Sequence, residues 1–200
     1  NAMSATIDAS DRNAVDYFIK YAGCDNEGNQ LPDSPMKGGV VIFAAGNDNI
    51  ANGAPANYEP IISVGAISSN GTKAAYSNYG DWVDICAPGS DIYSTTPQST
   101  YSYMSGTSMA CPHVSGVAAL IVSYAGGQGF TNEMLVEKLL SGANKTAVPM
   151  SYKIGNLVDA LGSITYGTDA EPAKVVDLAA QARSNFLDLS WTMVKDTDDK

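Results

Sequence analysis

The chain has 200 residues, 44% of them hydrophobic, and a formal net charge of −10. This length is enough for one sizeable domain, or for a smaller domain with part of a second. The acidic balance argues against nucleic acid and anionic membrane surfaces as partners, because neither would be attracted to the chain.

The N-terminal part of the chain is predicted to hold one helix and one loop. Asn1–Met3 reads as the remnant of a cleaved tag, and no signal peptide, lipidation motif or bilayer-spanning apolar run is found, so membrane insertion is not expected. Ser10 or Asp11 is predicted to cap the helix. Its apolar face has helical spacing and consists of Val15, Phe18, Ile19 and Ala22. Gly23 ends it, and the polar residues 24–39 form a loop.

Three apolar runs after this loop are predicted to be strands. Val40–Ala45 is continuous and rich in β-branched residues, which is typical of a parallel strand buried on both faces and covered by helices. Residues 60–67 and 82–87 give the second and third strands. A parallel sheet covered by helices belongs to the α/β class.

A small-residue turn, Ser105–Thr107, leads into an apolar run with helical spacing over residues 108–125. Ser108 therefore falls in the first turn of a helix, where unpaired N–H groups and the positive end of the helix dipole favour negative charge. A serine at this position can attack a carbonyl while its own N–H helps to hold the oxyanion. The alternative is that Thr107 or Ser108 is only an N-cap.

Two motifs favour the catalytic interpretation. Residues 106–110 read Gly-Thr-Ser-Met-Ala, and Pro-His-Val follows at 112–114. Residues 40–47 form an apolar run that ends in Ala-Ala-Gly-Asn. In this order, they resemble the nucleophile and oxyanion-hole motifs of the subtilisin-like serine peptidases, the subtilases. The resemblance is specific at both motifs and covers roughly residues 10–165.

The resemblance implies a three-layer α/β fold of parallel strands covered by helices, truncated to the C-terminal part of the catalytic domain over residues 4–167. It implies a serine endopeptidase in which Ser108 is the nucleophile and Asn47 donates its side-chain N–H to the oxyanion. It also implies that Ala45 and Gly46 form one wall of the primary specificity pocket. The substrates would be polypeptides, and the parent protein would be secreted or held in the cell envelope.

Some of these features have structural alternatives. Asn47 is also what a turn after a strand commonly contains. The tyrosines near the predicted cleft are as consistent with simple packing as with binding of extended peptide. They are Tyr76, Tyr79, Tyr93, Tyr101 and Tyr103.

The chain offers no general base. His113 is its only histidine. A helix places it about 7.5 Å beyond Ser108 along the axis and about 140° around it, whereas proton transfer requires about 2.6–3.2 Å. His113 matches the structural histidine of the family, and no segment resembles the family's Asp-Thr-Gly or His-Gly-Thr-His blocks, which belong upstream of residue 1. We therefore predict that this chain alone is inactive.

The sequence leaves two alternatives to a serine endopeptidase. A catalytically dead homologue could serve as a peptide-binding module, although intact Ser108 and Asn47 argue against decay. An unrelated nucleotide-binding α/β domain is disfavoured, because neither a Gly-x-Gly-x-x-Gly nor a Walker pattern occurs.

No cofactor is required for the predicted chemistry, and no metal site is predicted. Structural calcium is common in the family, but the loop acids show no spacing that identifies a ligand set. These acids are Asp48, Asp81 and Asp91. The cysteines are too scattered for a disulfide framework, and Cys86 and Cys111 are expected to be small buried hydrophobes.

The C-terminal part ends in short helices and then changes character. Thr131 is predicted to cap one helix, and Gly155–Leu161 to form a last one. In residues 168–200, Asp169–Pro172 reads as a linker, and two strands follow. These strands, Val175–Leu178 and Phe186–Thr192, resemble the start of a fibronectin type III domain, which needs about seven strands.

Truncation of the sheet has a further consequence. The Val40–Ala45 strand would lack one neighbour, and an exposed hydrophobic edge pairs readily with another chain. We therefore predict self-association through this edge or through the tail near Trp191.

Overall fold

The structure is a computed structural model that describes residues 7–168, 175–183 and 186–193. Its helices are α1 (Ala9–Tyr21), α2 (Thr107–Ala125), α3 (Asn132–Ser141) and α4 (Ala160–Thr165). Its strands are β1 (Ile42–Ala44), β2 (Ile62–Ile67), β3 (Ile85–Pro88), β4 (Ile92–Thr96), β5 (Thr100–Met104), β6 (Asn156–Leu157), β7 (Val175–Arg183) and β8 (Phe186–Met193). The chain divides into two units, residues 1–166 and 167–200.

The first unit is built on a parallel sheet of four strands in the order β1-β2-β3-β6. All six residues of β2 are buried, as its apolar sequence requires of a strand covered on both faces. The predicted α/β class is confirmed. The strands begin later than predicted, because consecutive pairing starts only where Ile42 lies opposite Ile62 and Val64 opposite Ile85.

Helix α2 covers one face of this sheet. Its residues Val114 and Ile121 are fully buried in one cluster with Val64 and Ile85, and residues of α3 and α4 join the same cluster. The other face packs against residues 147–154, which include a single turn of 3-10 helix. Irregular chain therefore covers the face that α2 leaves open.

Strand β1 lies at the edge of the sheet and is only partly buried. Ile42 packs against the α2 cluster, whereas Phe43 points to the other face and is 42% exposed. The prediction of a strand buried on both faces is therefore wrong for β1. Within the described residues no strand pairs with its outer edge.

Helix α1 begins earlier than predicted. The carboxylate of Asp8 accepts hydrogen bonds from the Asp11 N–H (2.9 Å) and the Ser10 hydroxyl (2.7 Å). These bonds hold the pKa of Asp8 below its ordinary value. Asp8, rather than Ser10 or Asp11, is therefore the N-cap.

Strands β4 and β5 form an antiparallel hairpin that was not predicted from the sequence. Its turn contains Gln98 and Ser99, both at positive φ (64° and 57°), without the Asn-Gly or Asp-Gly pair that usually marks a hairpin. Three of its tyrosines form an exposed group. The Tyr93 ring lies 4.8 Å from that of Tyr103 and 5.7 Å from that of Tyr101, measured between centroids.

The last predicted helix divides into two elements. Asn156 and Leu157 form the edge strand β6. The Asp159 carboxylate caps α4, because it accepts a hydrogen bond of 2.8 Å from the Gly162 N–H. The prediction of a helix over Gly155–Leu161 is therefore wrong in its first half, because pairing with β3 draws these residues into the sheet.

Helix α2 also corrects the expectation about membrane spans. With 19 residues and a mean hydropathy of 1.3, it is long and apolar enough to cross a bilayer by length and composition alone. A core helix of a globular domain passes the same test, and α2 contributes six buried residues to the packing described above.

The second unit contains one antiparallel hairpin, in which β7 pairs with β8. The ladder is irregular between Val176 and Ala179. Both strands begin where the sequence predicted them, but β7 extends to Arg183, five residues beyond the predicted strand, and β8 to Met193. The predicted linker Asp169–Pro172 lies outside the described residues.

Candidate active site

Ser108 is the second residue of helix α2 and its side chain is exposed. Its N–H is among the initial helix donors that lack an intrahelical acceptor. The first turn contains no acidic residue, so no carboxylate there opposes the positive end of the helix dipole. Ser108 lines a cavity of about 370 Å³, together with residues of the β4–β5 hairpin and His113.

The side chain of Asn47 meets the start of this helix. Its Oδ1 accepts the Thr107 N–H at 2.8 Å and the Thr107 hydroxyl at 3.0 Å. Because a main-chain N–H can only donate, the amide oxygen must face Thr107, and Nδ2 therefore faces away from it. Neither Thr107 nor Ser108 acts as N-cap: Gly106 holds that position, and Asn47 supplies the acceptor from 60 residues away.

Two N–H donors lie close to Gly106. A Cβ placed on this glycine would lie 3.4 Å from Asn47 Nδ2 and 3.7 Å from both Asn47 Oδ1 and the Ser108 main-chain N. Since glycine has no side chain, that space stays open between the two donors. An arrangement of two N–H groups around one small space can bind a single oxygen that carries negative charge.

Local sequence explains why Asn47 comes to this place. Parallel strands present their carboxyl ends at one edge of a sheet, and β1 ends three residues before Asn47. Gly46 turns the chain at a φ of 103°, a value that other residues rarely adopt. The Gly46 N–H donates to the Thr107 hydroxyl at 3.1 Å, so this hydroxyl joins the strand end to the helix start.

Thr107 is the residue of this site that sequence reasoning missed. It is fully buried, accepts from Gly46 and donates to Asn47. In the sequence it was considered only as a cap.

Ala45 and Gly46 lie directly before Asn47 at the carboxyl end of β1. The Ala45 methyl group is buried, its N–H donates to the Val64 carbonyl (2.9 Å), and its carbonyl accepts the Asn78 side chain (2.9 Å). The main-chain N–H and carbonyl groups of Gly46 are also bonded, to the Thr107 hydroxyl and to the Asn78 N–H. The main-chain polar groups of both residues are therefore engaged within the protein.

His113 is turned to its own helix. Its Nδ1 lies 2.8 Å from the Met109 carbonyl oxygen, one turn earlier, and the side chain is exposed. This contact accords with the helix geometry that separates His113 from the Ser108 hydroxyl.

The cysteines and loop acids contribute no second reactive group. Burial raises the pKa of the Cys86 thiol to about 12 and also raises that of Cys111, so both are poor nucleophiles. Asp81 pairs with Lys153 at 3.2 Å. Across the described part of the chain, no group of three His, Cys, Asp or Glu residues is arranged to hold a metal ion.

Comparison with known proteins identifies the family. The sequence profile of the subtilase family matches residues 3–156. The thermophilic serine proteinase of Bacillus sp. (strain AK1) is 40% identical over 149 residues, which are 72% of this chain and 36% of that protein. The extracellular protease of Xanthomonas campestris pv. campestris is 46% identical over 106 residues, which are 48% of this chain and 18% of that protein.

A solved structure agrees with the sequence matches. A protease of Pseudoalteromonas arctica PAMC 21717 superposes with a TM-score of 0.59 at 30% identity, over 76% of this chain and 57% of that one. The chain thus spans well under half the length of the curated relatives just described. With a profile match over most of its length and the parallel sheet in place, the chain belongs to the subtilase family.

Proposed function

We propose that this chain is the part of a serine endopeptidase that carries the nucleophile and the oxyanion donors. The observation that carries the proposal is that Asn47 Nδ2 and the Ser108 main-chain N lie 3.4 and 3.7 Å from the position that a Cβ on Gly106 would take. Membership of a family of serine peptidases supplies the reaction class.

In the proposed reaction, the Ser108 hydroxyl attacks the carbonyl carbon of a peptide bond and gives its proton to a general base. The carbonyl oxygen becomes an oxyanion, which the Ser108 N–H and Asn47 Nδ2 hold. The intermediate then collapses, the base protonates the leaving amine, and water hydrolyses the acyl-enzyme. No cofactor takes part in these steps.

The general base and the carboxylate that orients it would lie outside these residues. His113 is the chain's only histidine and bonds to the Met109 carbonyl. A serine hydroxyl without a base is a weak nucleophile at neutral pH. We therefore expect the isolated chain to be inactive and a longer protein that contains it to be active.

Substrate binding is proposed for Ala45 and Gly46, as one wall of the primary specificity pocket. Their place at the carboxyl end of β1, directly before Asn47, supports this assignment. The substrates would be polypeptides, and the parent protein would act outside the cell or in its envelope, in keeping with a relative named an extracellular protease.

The second unit is proposed to be the first hairpin of a fibronectin type III-like domain. The antiparallel pairing of β7 with β8 is compatible with this proposal. A longer chain that includes the following residues should fold into a sandwich of about seven strands, visible in its backbone NMR spectrum. A chain that adds no further strands would contradict the assignment.

A fluorophosphonate probe tests the proposed function. The isolated chain should label at Ser108 no faster than a denatured control, whereas the longer protein should label rapidly and one-to-one. Ser108→Ala in the longer protein should abolish both labelling and peptide hydrolysis. Unchanged turnover of that variant would refute the nucleophile, and a longer protein without turnover would instead favour a catalytically dead homologue that binds peptides.

A further inference from the structure

Asn78 is a fully buried polar residue on the segment between β2 and β3. Its Oδ1 accepts the N–H groups of Asp48 (3.0 Å) and Ile50 (3.1 Å). Its Nδ2 donates to the carbonyls of Ala45 (2.9 Å) and Asn52 (3.1 Å). A primary amide has two donor hydrogens and two acceptor lone pairs, so every bond that this side chain can make is used.

All four partners of this side chain lie within residues 45–52, the loop that carries Asn47. They flank Asn47 on both sides. A fifth bond, from the Asn78 main-chain N–H to the Gly46 carbonyl (3.0 Å), acts on the same loop. One buried residue thus holds the main chain immediately before and after the exposed Asn47.

Other hydrogen bonds also hold this loop. The Thr107 hydroxyl accepts from Gly46 and donates to Asn47, and the Asn49 N–H donates to the Tyr76 carbonyl (2.9 Å). Residues 47–50 are exposed, so hydrogen bonds rather than packing fix the backbone, which includes positive φ values of 103° at Gly46 and 53° at Asn49. Asn78 makes five of these bonds, on both sides of Asn47.

We propose that Asn78 is a positioning residue for the oxyanion hole: it fixes the loop so that Asn47 Nδ2 stays directed at the space above Gly106. This inference rests on the proposed function, because it concerns the site at which the oxyanion would form. A donor that stabilises a transition state must be held to within about 0.5 Å, and a small misplacement costs up to about 10²-fold in rate.

The chemistry also explains why the residue is asparagine. Aspartate would keep both acceptor bonds but would place a carboxylate oxygen against the Ala45 and Asn52 carbonyls. Alanine would lose all four bonds and leave buried donors and acceptors unpaired. Of these three residues, only asparagine can both donate to the Ala45 and Asn52 carbonyls and accept from the Asp48 and Ile50 N–H groups.

The experiment measures peptide hydrolysis by the longer protein that contains this chain. Asn78→Ala should lower kcat by about 10- to 100-fold with a smaller change in KM, because the oxyanion forms only in the transition state. The matched control is Asn132→Ala. Asn132 is also buried, and its Nδ2 donates to the Ile19 and Gly39 carbonyls (3.0 and 2.9 Å), outside the 45–52 loop. This control should lose comparable stability and keep its kcat.

A double-mutant cycle separates positioning from general stabilisation. Removal of an oxyanion donor such as Asn47 costs about 10²–10³ in kcat, a range that comes from subtilisin itself rather than from this chain. If Asn78 acts through Asn47, adding Asn78→Ala to Asn47→Ala should lower kcat by less than threefold more. Fully additive losses would overturn the proposal. If Asn78→Ala does not fold, Asn78→Asp enters the same cycle.

Ser108→Ala distinguishes failure of the proposed function from failure of the role of Asn78. Turnover that survives Ser108→Ala refutes the proposed function itself. Turnover that is lost in Ser108→Ala, with an Asn78→Ala variant that behaves like Asn132→Ala, refutes the role of Asn78 alone. In the isolated chain, Asn78→Ala should also speed hydrogen exchange of the Asp48 and Ile50 amides at least tenfold relative to Asn132→Ala, and equal rates would contradict the proposal.

Discussion

The Thr107 hydroxyl is the smallest group on which the candidate site depends. It accepts from the Gly46 N–H and donates to Asn47 Oδ1, so it joins the start of α2 to a segment 60 to 61 residues earlier in the chain. A buried hydroxyl with both roles satisfied costs stability when removed, because its partners stay buried without it.

Thr107→Val, which keeps the shape of the side chain, should therefore lower the free energy of unfolding by about 1–3 kcal/mol. Urea denaturation measures the loss. Thr107→Ser keeps the hydroxyl and should retain most of the stability. If Thr107→Val were as stable as the natural chain, the two hydrogen bonds would contribute nothing net.

Asp84 makes stability depend on pH. Burial raises the pKa of this carboxyl above its ordinary 3.8, although hydrogen bonds from the Ser63 N–H and hydroxyl (both 2.7 Å) act in the opposite direction. The folded chain therefore binds the proton more tightly than the unfolded chain. The stability that the protonated Asp84 contributes is fully present below pH 3.8 and is lost as the pH rises through the folded-state pKa.

Asp84→Asn lacks this titration and keeps an oxygen for Ser63. The unfolding free energy of the natural chain, relative to this variant, should fall as the pH rises from below 3.8. Denaturation of both proteins across pH 3–7 tests it. A difference that stays constant or grows with pH would contradict the assignment.

At the scale of elements, the sequence predicted best where one signal dominated. The apolar runs ending at Ala44 and Ile67 and the helix beginning at Thr107 were located within a few residues. The β4–β5 hairpin was missed because its turn, Gln98-Ser99, lacks the Asn-Gly or Asp-Gly pair that usually marks a hairpin, and because its strands contribute no buried apolar face. The cap of α1 was misplaced because Asp8, Ser10 and Asp11 are all good capping residues, and only the backbone selects among them.

The edge of β1 carries the prediction that belongs to this scale. Phe43 is 42% exposed on a strand without an outer partner among the described residues. A charge on such an edge opposes pairing with another chain. Phe43→Lys should therefore shift the isolated chain towards monomer.

Sedimentation velocity over a range of concentrations measures this shift. The matched control is Met150→Lys, since Met150 is 73% exposed and lies outside the sheet. A natural chain that sediments as a monomer at every concentration, or an equal effect of both lysines, would contradict association through the edge.

At the scale of the whole molecule, the folded first unit shields the Cys86 thiol from solvent and from reagents. Cys86 is fully buried in β3, and its pKa of about 12 leaves about 10⁻⁵ of it ionised at pH 7. Iodoacetamide should therefore modify Cys86 only when the unit unfolds globally, whereas the partly exposed Cys24 reacts in the folded state. Mass spectrometry of timed samples in increasing urea tests this order. Modification of Cys86 in native buffer at the rate of Cys24 would contradict it.

The site as a whole was predictable only in part. Ser108 and Asn47 were found because each ends a recognisable local pattern. The contacts that hold them, from Thr107 and Asn78, could not be found in this way, because they join residues 26 to 61 positions apart and leave no local spacing to read.

The distance along the chain between Asn47 and Thr107 has a consequence during synthesis. A ribosome releases Asn47 well before it releases the helix whose first N–H this side chain accepts. The Asn47 side chain can meet the start of α2 only after residues 107 and 108 have been synthesised. A shorter nascent chain therefore lacks the pair of N–H donors from Asn47 and Ser108.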